Sequence, residues 1–426
     1  MIKKFGCKNI KAIREFSEIE IRPITIVMGE NSSGKSSLLQ ALSLLSVNKM
    51  FGNDIRTIKY SNPFSNFETV DTFKNKGETV ELFFEIEDEK DKEIHQIKLF
   101  YIDDKESNEH GILNKIEIKN NKLYTILELT KEENYSINLE DVYFDSLKQL
   151  DKEIEIFTNL KIISKIKIHE NYVSVNEKLD SANLLLKPMF NAIDILMTNL
   201  TSIRHVGMLK DVSASYDYPN DYIGYFGEKY KSVAKNLSTK KYINDSLKHI
   251  FEYEVKKIDK DTGDFYISDN EIKKSLKLNM FGSSVSSTIP ILTQYAKNRE
   301  PDIKDKYRLT IIEEPEINEH PLSQAKFIEA LFPKTRPKNH YNIIETHSDH
   351  IVNKLRFLVS QKVIKSTDIV IYYKHKKSSE KIDKNRFYKI EIDKCGQFKS
   401  PEFGKGFPKG FFDATLDDLF MLGNDC

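Results

Sequence analysis

The stretch from Ile24 to Leu45 constrains the fold of this 426-residue chain more than any other. Ile24-Thr25-Ile26-Val27-Met28 is an apolar run suited to a strand buried on both faces. Gly29-Glu30-Asn31-Ser32-Ser33-Gly34-Lys35-Ser36-Ser37 follows without a break, and Leu38, Leu39, Ala41, Leu42, Leu44 and Leu45 then recur at helical spacing. Strand, glycine-framed loop and helix in that order put G-x-x-x-x-G-K-[ST] in its required context. Gly29 and Gly34 let the backbone turn its amides inward around a β-phosphate, and Asn31, Ser32, Ser33 and Ser37 are counted with them among the nucleotide contacts. Lys35 is set to neutralise the β/γ oxygens, Ser36 to offer its hydroxyl to Mg²⁺, and the helix to add its positive dipole end.

Two later strands end in groups that such a loop needs. Leu309-Thr310-Ile311-Ile312 runs into Glu313-Glu314-Pro315-Glu316. Phosphoryl transfer calls for one acid at a strand end to hold the metal's shell and another group to orient the attacking water. Adjacent carboxylates point different ways, so Glu313 is assigned to the metal and Glu314 to the water, with Glu316 as the competing choice for the second role. Tyr341-Asn342-Ile343-Ile344 runs into Glu345-Thr346-His347-Ser348-Asp349-His350. A polar cluster at the carboxyl end of a buried strand is where open α/β sheets bind ligands. His347 is placed to reach the γ-phosphate or the water, while Ser348 or Asp349 caps a helix expected over 349–359. A metal site made of His347, Asp349 and His350 is the weaker alternative, since no further ligand pair has suitable spacing.

Composition narrows the rest. With 65 Lys+Arg against 65 Asp+Glu the net charge is zero, which excludes a uniformly basic coat for nucleic acid but not local phosphate contacts. At 39% hydrophobic and 31% charged residues the chain reads as globular rather than disordered. No apolar run approaches the roughly 20 residues of a membrane helix, so no membrane partner is expected. The first residues lack the apolar block of a signal peptide. Cys7, Cys395 and Cys426 fit neither a disulfide framework nor a metal spacing, and a cytoplasmic location is expected.

Taken together, these motifs resemble the ABC-type ATPases of the RecF, SMC and overcoming-lysogenization-defect (OLD) group, and within it the prokaryotic AAA-family ATPases that lack a fused nuclease. The resemblance rests on residues 1–85 and 275–426: the loop Gly29 to Ser37, the acid-Pro-Glu element Glu313 to Glu316 followed by His320-Pro321, the Thr346-His347-Ser348 segment with its extension to Arg356, and the tail Phe407 to Asp413. Two departures stand out. The metal-side acid is usually Asp in ABC-type enzymes, whereas Glu313 is one methylene longer. The signature segment, aligned with Phe281-Gly282-Ser283-Ser284-Val285-Ser286-Ser287, keeps one Gly where two are usual and has Ser287 in place of the customary Gln.

The resemblance implies an α/β fold, an ABC-type P-loop ATPase head with a mixed or parallel sheet flanked by helices, an antiparallel β-lobe and an inserted helical or mixed arm. It implies ATP and Mg²⁺ as ligands, Ser286 as the contact made across a dimer to the other copy's γ-phosphate, and a homodimer or higher homo-oligomer. It also implies a conformational switch that senses or acts on DNA or RNA and controls a separately encoded effector, commonly a nuclease, in anti-phage defence. A DNA-repair or clamp-type ATPase acting on DNA ends without an effector is the alternative. The expected organisation is 1–130 for the first part of the head, 131–200 for the arm and 201–426 for the second part of the head.

About 245 residues separate the phosphate loop from the signature segment, too many for a simple connection. Val80 to Ile86, Ile97 to Ile102 and Ile112 to Leu129 read as β-structure, as does the stretch Ile10 to Ile21 before the loop. Asn199 to Gly207 is expected to re-enter the core, with Arg204 either near nucleotide or a partner, or simply on the surface. Phe64 to Asp71 occupies the place where related enzymes couple the γ-phosphate to the arm. The Lys- and Tyr-containing stretches Lys229 to Lys241 and Lys374 to Lys394 can meet phosphate backbones, although nearby acids favour solvated faces. No second catalytic cluster is visible; Asp417-Asp418 stands too isolated to count.

Overall fold

The computed structural model describes residues 1–50, 57–58, 79–103, 111–120, 124–129, 135–138, 153–154, 166–168, 191–207, 218–238, 240–268, 274–379, 382–404 and 406–408. Phe64 to Asp71, most of the expected arm, and the tail beyond Pro408 lie outside these residues. The chain divides into two compact units, Met1–Ile21 with Ser36–Ile203, and Arg22–Lys35 with Arg204–Cys426.

The first unit is built on a ten-stranded sheet. Ile2–Lys8 pairs antiparallel with both Ser17–Glu20 and Val80–Glu87, and the chain then runs antiparallel through Ile94–Asp103, Gly111–Lys119, Tyr124–Leu129 and Tyr135–Asn138. Val80, Leu82, Phe84 and Ile86 are buried while Glu81, Glu85 and Glu87 are half-buried, the alternation of a sheet with one wet face. The strand expected over Ile10 to Ile21 is shorter than its pattern. Asn9 and Lys11 adopt left-handed backbone angles, with φ of 57° and 48°, and Ile10 and Ile13 exchange backbone hydrogen bonds across the tight turn between them. Extended geometry resumes only at Ser17.

The second unit carries a seven-stranded sheet in the order Ile203–Val206, Arg308–Glu313, His340–Glu345, Ile24–Gly29, Ile369–Lys374, Phe387–Ile392, Phe398–Lys399. The four strands from Arg308–Glu313 to Ile369–Lys374 pair in parallel, and the last two turn back antiparallel. Parallel strands are covered on both faces, which is why Ile24–Gly29 and His340–Glu345 are buried at every position. Ile24, Ile26 and Met28 share one core with Ile289, Leu292, Ile344 and Ile371. Glu313, Glu345, Gly29 and Lys374 therefore end their strands along one edge of the sheet, where α/β sheets present ligand sites.

Helices follow the same edge. The helix Pro321–Leu331 starts with Pro321, whose missing N–H costs nothing there, and His320 Nδ1 accepts from the Leu322 amide. The helix Asp349–Ser360 is capped by Ser348, whose hydroxyl accepts from Ile351 N at 3.1 Å. Asn199 to Gly207 enters the core as expected, as the fully buried strand Ile203–Val206. Arg204 is not on the surface: it is 3% exposed and binds both oxygens of Asp221, which also takes Arg308. Burial would push the Asp221 carboxyl up, but the two guanidinium groups outweigh it and hold it below the usual range. Among the described residues no helix is long and apolar enough to cross a membrane.

Candidate nucleotide site

Gly29 ends its strand with φ of 141°, and a Cβ there would lie 2.1 Å from the Lys374 carbonyl oxygen. Only glycine fits, because the phosphate-loop strand and the strand Ile369–Lys374 run shoulder to shoulder into the turn. Glu30 N donates to Lys374 O at 3.2 Å, which ties the loop to that neighbour. Ser32 (φ 60°) and Gly34 (φ 103°) make the reversal, leaving Asn31 and Ser32 exposed at the crest and Ser33, Gly34 and Lys35 buried beneath. Ser33 Oγ is buried and has no hydrogen-bond partner among the described residues. An oxyanion held in the loop would satisfy it, so the loop fits a phosphate group.

Lys35 opens the helix Lys35–Met50, and Ser36 and Ser37 are its next two residues, half-buried. Lys35 Nζ donates to the carbonyls of Gly29 and Glu30 at 3.2 and 2.9 Å and lies 3.9 Å from Glu345 Oε1. Burial pushes its pKa down, against the pull of the Glu345, Glu314, Glu30 and Glu316 carboxylates. An ammonium desolvated in this way gains from any further negative charge brought to it, as a triphosphate would bring.

The acidic strand end splits its carboxylates. Glu313 faces the strand Ile203–Val206: its oxygens lie 3.0 Å from His205 Nε2 and take the Tyr225 hydroxyl at 3.1 Å. Glu314 follows in left-handed backbone geometry, φ 46°, and its amide donates to Glu345 O at 2.8 Å. A non-glycine residue held there costs on the order of 1–3 kcal/mol, a cost typical of functional turns. Glu314 Oε1 lies 3.6 Å from His347 Nε2. Ligand atoms of Glu314, Glu345 and His347 all fall within 4.8 Å of one another, a set of oxygens and one nitrogen close enough to meet a divalent ion or a water of its shell.

Glu316 turns elsewhere and accepts the His347 backbone amide at 2.5 Å. Burial pushes its carboxyl up despite that bond. The His347 imidazole is pushed down, by burial first and by Lys35 second, so it is neutral at pH 7. Asp349 and His350 are exposed or half-exposed and pair with each other, outside this cluster.

Sequence reasoning missed three members of the site. Glu345 was visible only as the polar end of a strand; its partner Lys35 lies far away in the chain. His205 and Tyr225, 108 and 88 residues from Glu313, had no local signal. The signature segment lies at the start of the helix Ser283–Asn298, after Gly282. Ser283, Ser286 and Ser287 line a groove of about 800 Å³ together with Tyr230, Lys231 and Lys277. Pro290, inside the helix, has no N–H to give the Ser286 carbonyl, which loosens the turn that carries Ser286. The lysine-rich stretches spend cations within the chain: Lys229 and Lys374 donate to the Tyr218 and Lys384 carbonyls, and Lys231 pairs with Asp264.

A profile of the family described as an AAA ATPase domain matches residues 1–352. The chain belongs to that family. It is an ATPase, and the loop, the acidic strand end and His347 all fall within the matched residues. No curated protein sequence matches this AAA ATPase. Among solved structures it is similar to an SMC head domain from Thermotoga maritima, at 12% identity over 92% of this chain and 99% of that one, with a TM-score of 0.41. It is also similar to an Smc head domain with an extended coiled coil, derived from Pyrococcus furiosus and bound to the C-terminal domain of ScpA, at 10% identity over 92% and 96%, with a TM-score of 0.42.

Proposed function

We propose that this AAA ATPase is an ATP-driven conformational switch of the ABC type. The observation that carries the reading is the meeting of Lys35, Glu345, Glu314 and His347 at the carboxyl ends of adjacent parallel strands, beside a loop with an unsatisfied buried hydroxyl. In this reading Gly29 to Ser37 hold the triphosphate, with Lys35 facing the β/γ oxygens and Ser36 serving the metal. Mg²⁺, when bound, would neutralise charge developing on the phosphate oxygens. Glu313 serves the metal's shell, held in orientation by His205 and Tyr225. Glu314 orients and deprotonates the attacking water, and neutral His347, 3.6 Å away, donates toward the γ-phosphate or the water. Glu316 acts through the His347 backbone rather than on the water, which favours Glu314 over it.

The serine-lined groove suits a second copy's nucleotide, with Ser286 as the contact made in trans. ATP then favours the assembled state over the separate one, the differential affinity that a switch requires. The proposed work of the switch, sensing DNA or RNA in the cytoplasm and controlling a separately encoded nuclease in anti-phage defence, is supported by the sequence resemblance alone.

The test is the solution mass of the Glu314→Gln protein by light scattering, with and without Mg-ATP. An ATP-dependent rise that Lys35→Ala abolishes is expected. A mass indifferent to ATP, in a protein that binds it, would refute the switch.

A further inference from the structure

One cluster of polar groups outside the hydrolytic site connects to it. Ser284 and Thr288 lie four residues apart and so share a face of the helix Ser283–Asn298. Both hydroxyls point at Glu319: Ser284 Oγ donates to Oε2 at 2.8 Å and Thr288 Oγ1 to Oε1 at 2.7 Å. Each carboxylate oxygen is thus engaged, and Thr288 is buried. Glu319 belongs to the turn that descends from Glu314, a turn closed by Ile317 N to Glu314 O and Glu319 N to Glu316 O, with Asn318 in left-handed geometry. Its carbonyl accepts from Gln324 Nε2 at 2.9 Å. Gln324 Oε1 in turn accepts the hydroxyl of Ser348, the cap residue that directly follows His347.

The hydrogen bonds therefore run without a break from the serine-rich helix, through Glu319 and Gln324, to the segment that carries His347. The geometry points to Glu319 as a positioning residue of the hydrolysis reaction: clamped by Ser284 and Thr288, it fixes the turn bearing Glu314 and Glu316, so that turnover depends on hydroxyls of a helix remote in sequence. Packing alone would need no carboxylate here. A leucine of similar volume would cover the same surface at less desolvation cost, so the hydrogen bonds are the reason for a glutamate. A turn freed from the helix lets the carboxylate of Glu314 wander, and a misplacement of about 1 Å in a catalytic group can cost a hundredfold in rate. ATP affinity, set by the phosphate loop, would change little. The inference rests on Glu314 acting on the water.

Steady-state turnover with separate kcat and KM tests it, using Glu319→Leu, Glu319→Gln, the pair Ser284→Ala/Thr288→Val, and the combination of that pair with Glu319→Leu. Glu319→Leu is expected to lower kcat about tenfold or more while KM for ATP stays within about threefold. Glu319→Gln, which keeps an acceptor for one hydroxyl and can exchange roles with the other, should recover most of the loss. The hydroxyl pair should reproduce the defect, and the combined variant should be no worse than Glu319→Leu by more than about twofold, because the three groups act as one unit. If Glu319→Leu does not fold, the hydroxyl pair, which leaves the carboxylate in place, supplies the same comparison. Wild-type kcat in a folded Glu319→Leu or hydroxyl-pair protein, or losses that simply add, would overturn the inference. Wild-type turnover in Glu314→Gln would instead remove the role of Glu314 on which it rests.

Discussion

Glu319 shows how a single carboxyl reports its surroundings. Burial raises its pKa from 4.5 to about 6, with the Thr288 and Ser284 hydroxyls pulling the other way. A carboxyl whose folded pKa lies above its unfolded one contributes stability that is fully present below pH 4.5 and is lost as the pH rises through about 6. Glu319→Gln has no such loss. Thermal midpoints measured from pH 4 to 8 should show the variant gaining on the wild type between about pH 4.5 and 6.5 and holding a constant lead above that. Parallel curves across the range would place the group in water. None of this was legible in the sequence, where Glu319 is one acid among several after Pro315. The same holds for Glu345, whose charge matters only because Lys35 is folded against it at 3.9 Å. Residues whose role depends on a neighbour contributed by another element leave no local pattern. Gly29, Lys35 and Glu314 stand out in the sequence because the strand and loop that carry each of them lie within a few residues of it.

At the scale of elements, the site is made by strands that end in register. Glu313 lies opposite Glu345, and Gly29 opposite Lys374, and backbone bonds continue past these ends into the loops. Gly29→Ala should disrupt this arrangement, since its Cβ would meet the Lys374 carbonyl in a backbone conformation that alanine rarely adopts. The expected cost is on the order of 3 kcal/mol, which lowers the thermal midpoint by several degrees and ATP affinity by about tenfold or more. Unchanged binding and melting would mean that the loop does not pack against the strand Ile369–Lys374. Three of the four parallel strands were legible as short apolar runs because both of their faces are buried, while Ile369–Lys374 was not read from the sequence although it is buried at every position. The strand expected over Ile10 to Ile21 was misjudged in length, because alternation continues through a turn whose left-handed residues, Asn9 and Lys11, are not glycines. The bonds of the serine-rich helix to Glu319 left no mark in the sequence, since they join residues 35 and 31 positions apart.

For the whole molecule, the described residues form two compact units, and the second holds Gly29 to Lys35 together with Glu313, Glu314, Glu316, Glu345 and His347. Residues more than 300 positions apart in the chain meet there because the phosphate-loop strand is inserted between strands from the far end of the chain. The order of motifs along the sequence was therefore a sound guide to the presence of an ATPase site, while the insertion that separates them carried no comparable pattern. The proposed switch stands on Glu314 handling the water at a site whose nucleotide is held independently by the loop. Its most direct test is ATP binding and ATP turnover measured side by side on wild-type, Glu314→Gln and Lys35→Ala proteins with Mg²⁺. Glu314→Gln is expected to bind ATP within about threefold of wild type yet turn it over at least about a hundredfold more slowly, while Lys35→Ala loses binding. Wild-type turnover by Glu314→Gln would contradict it.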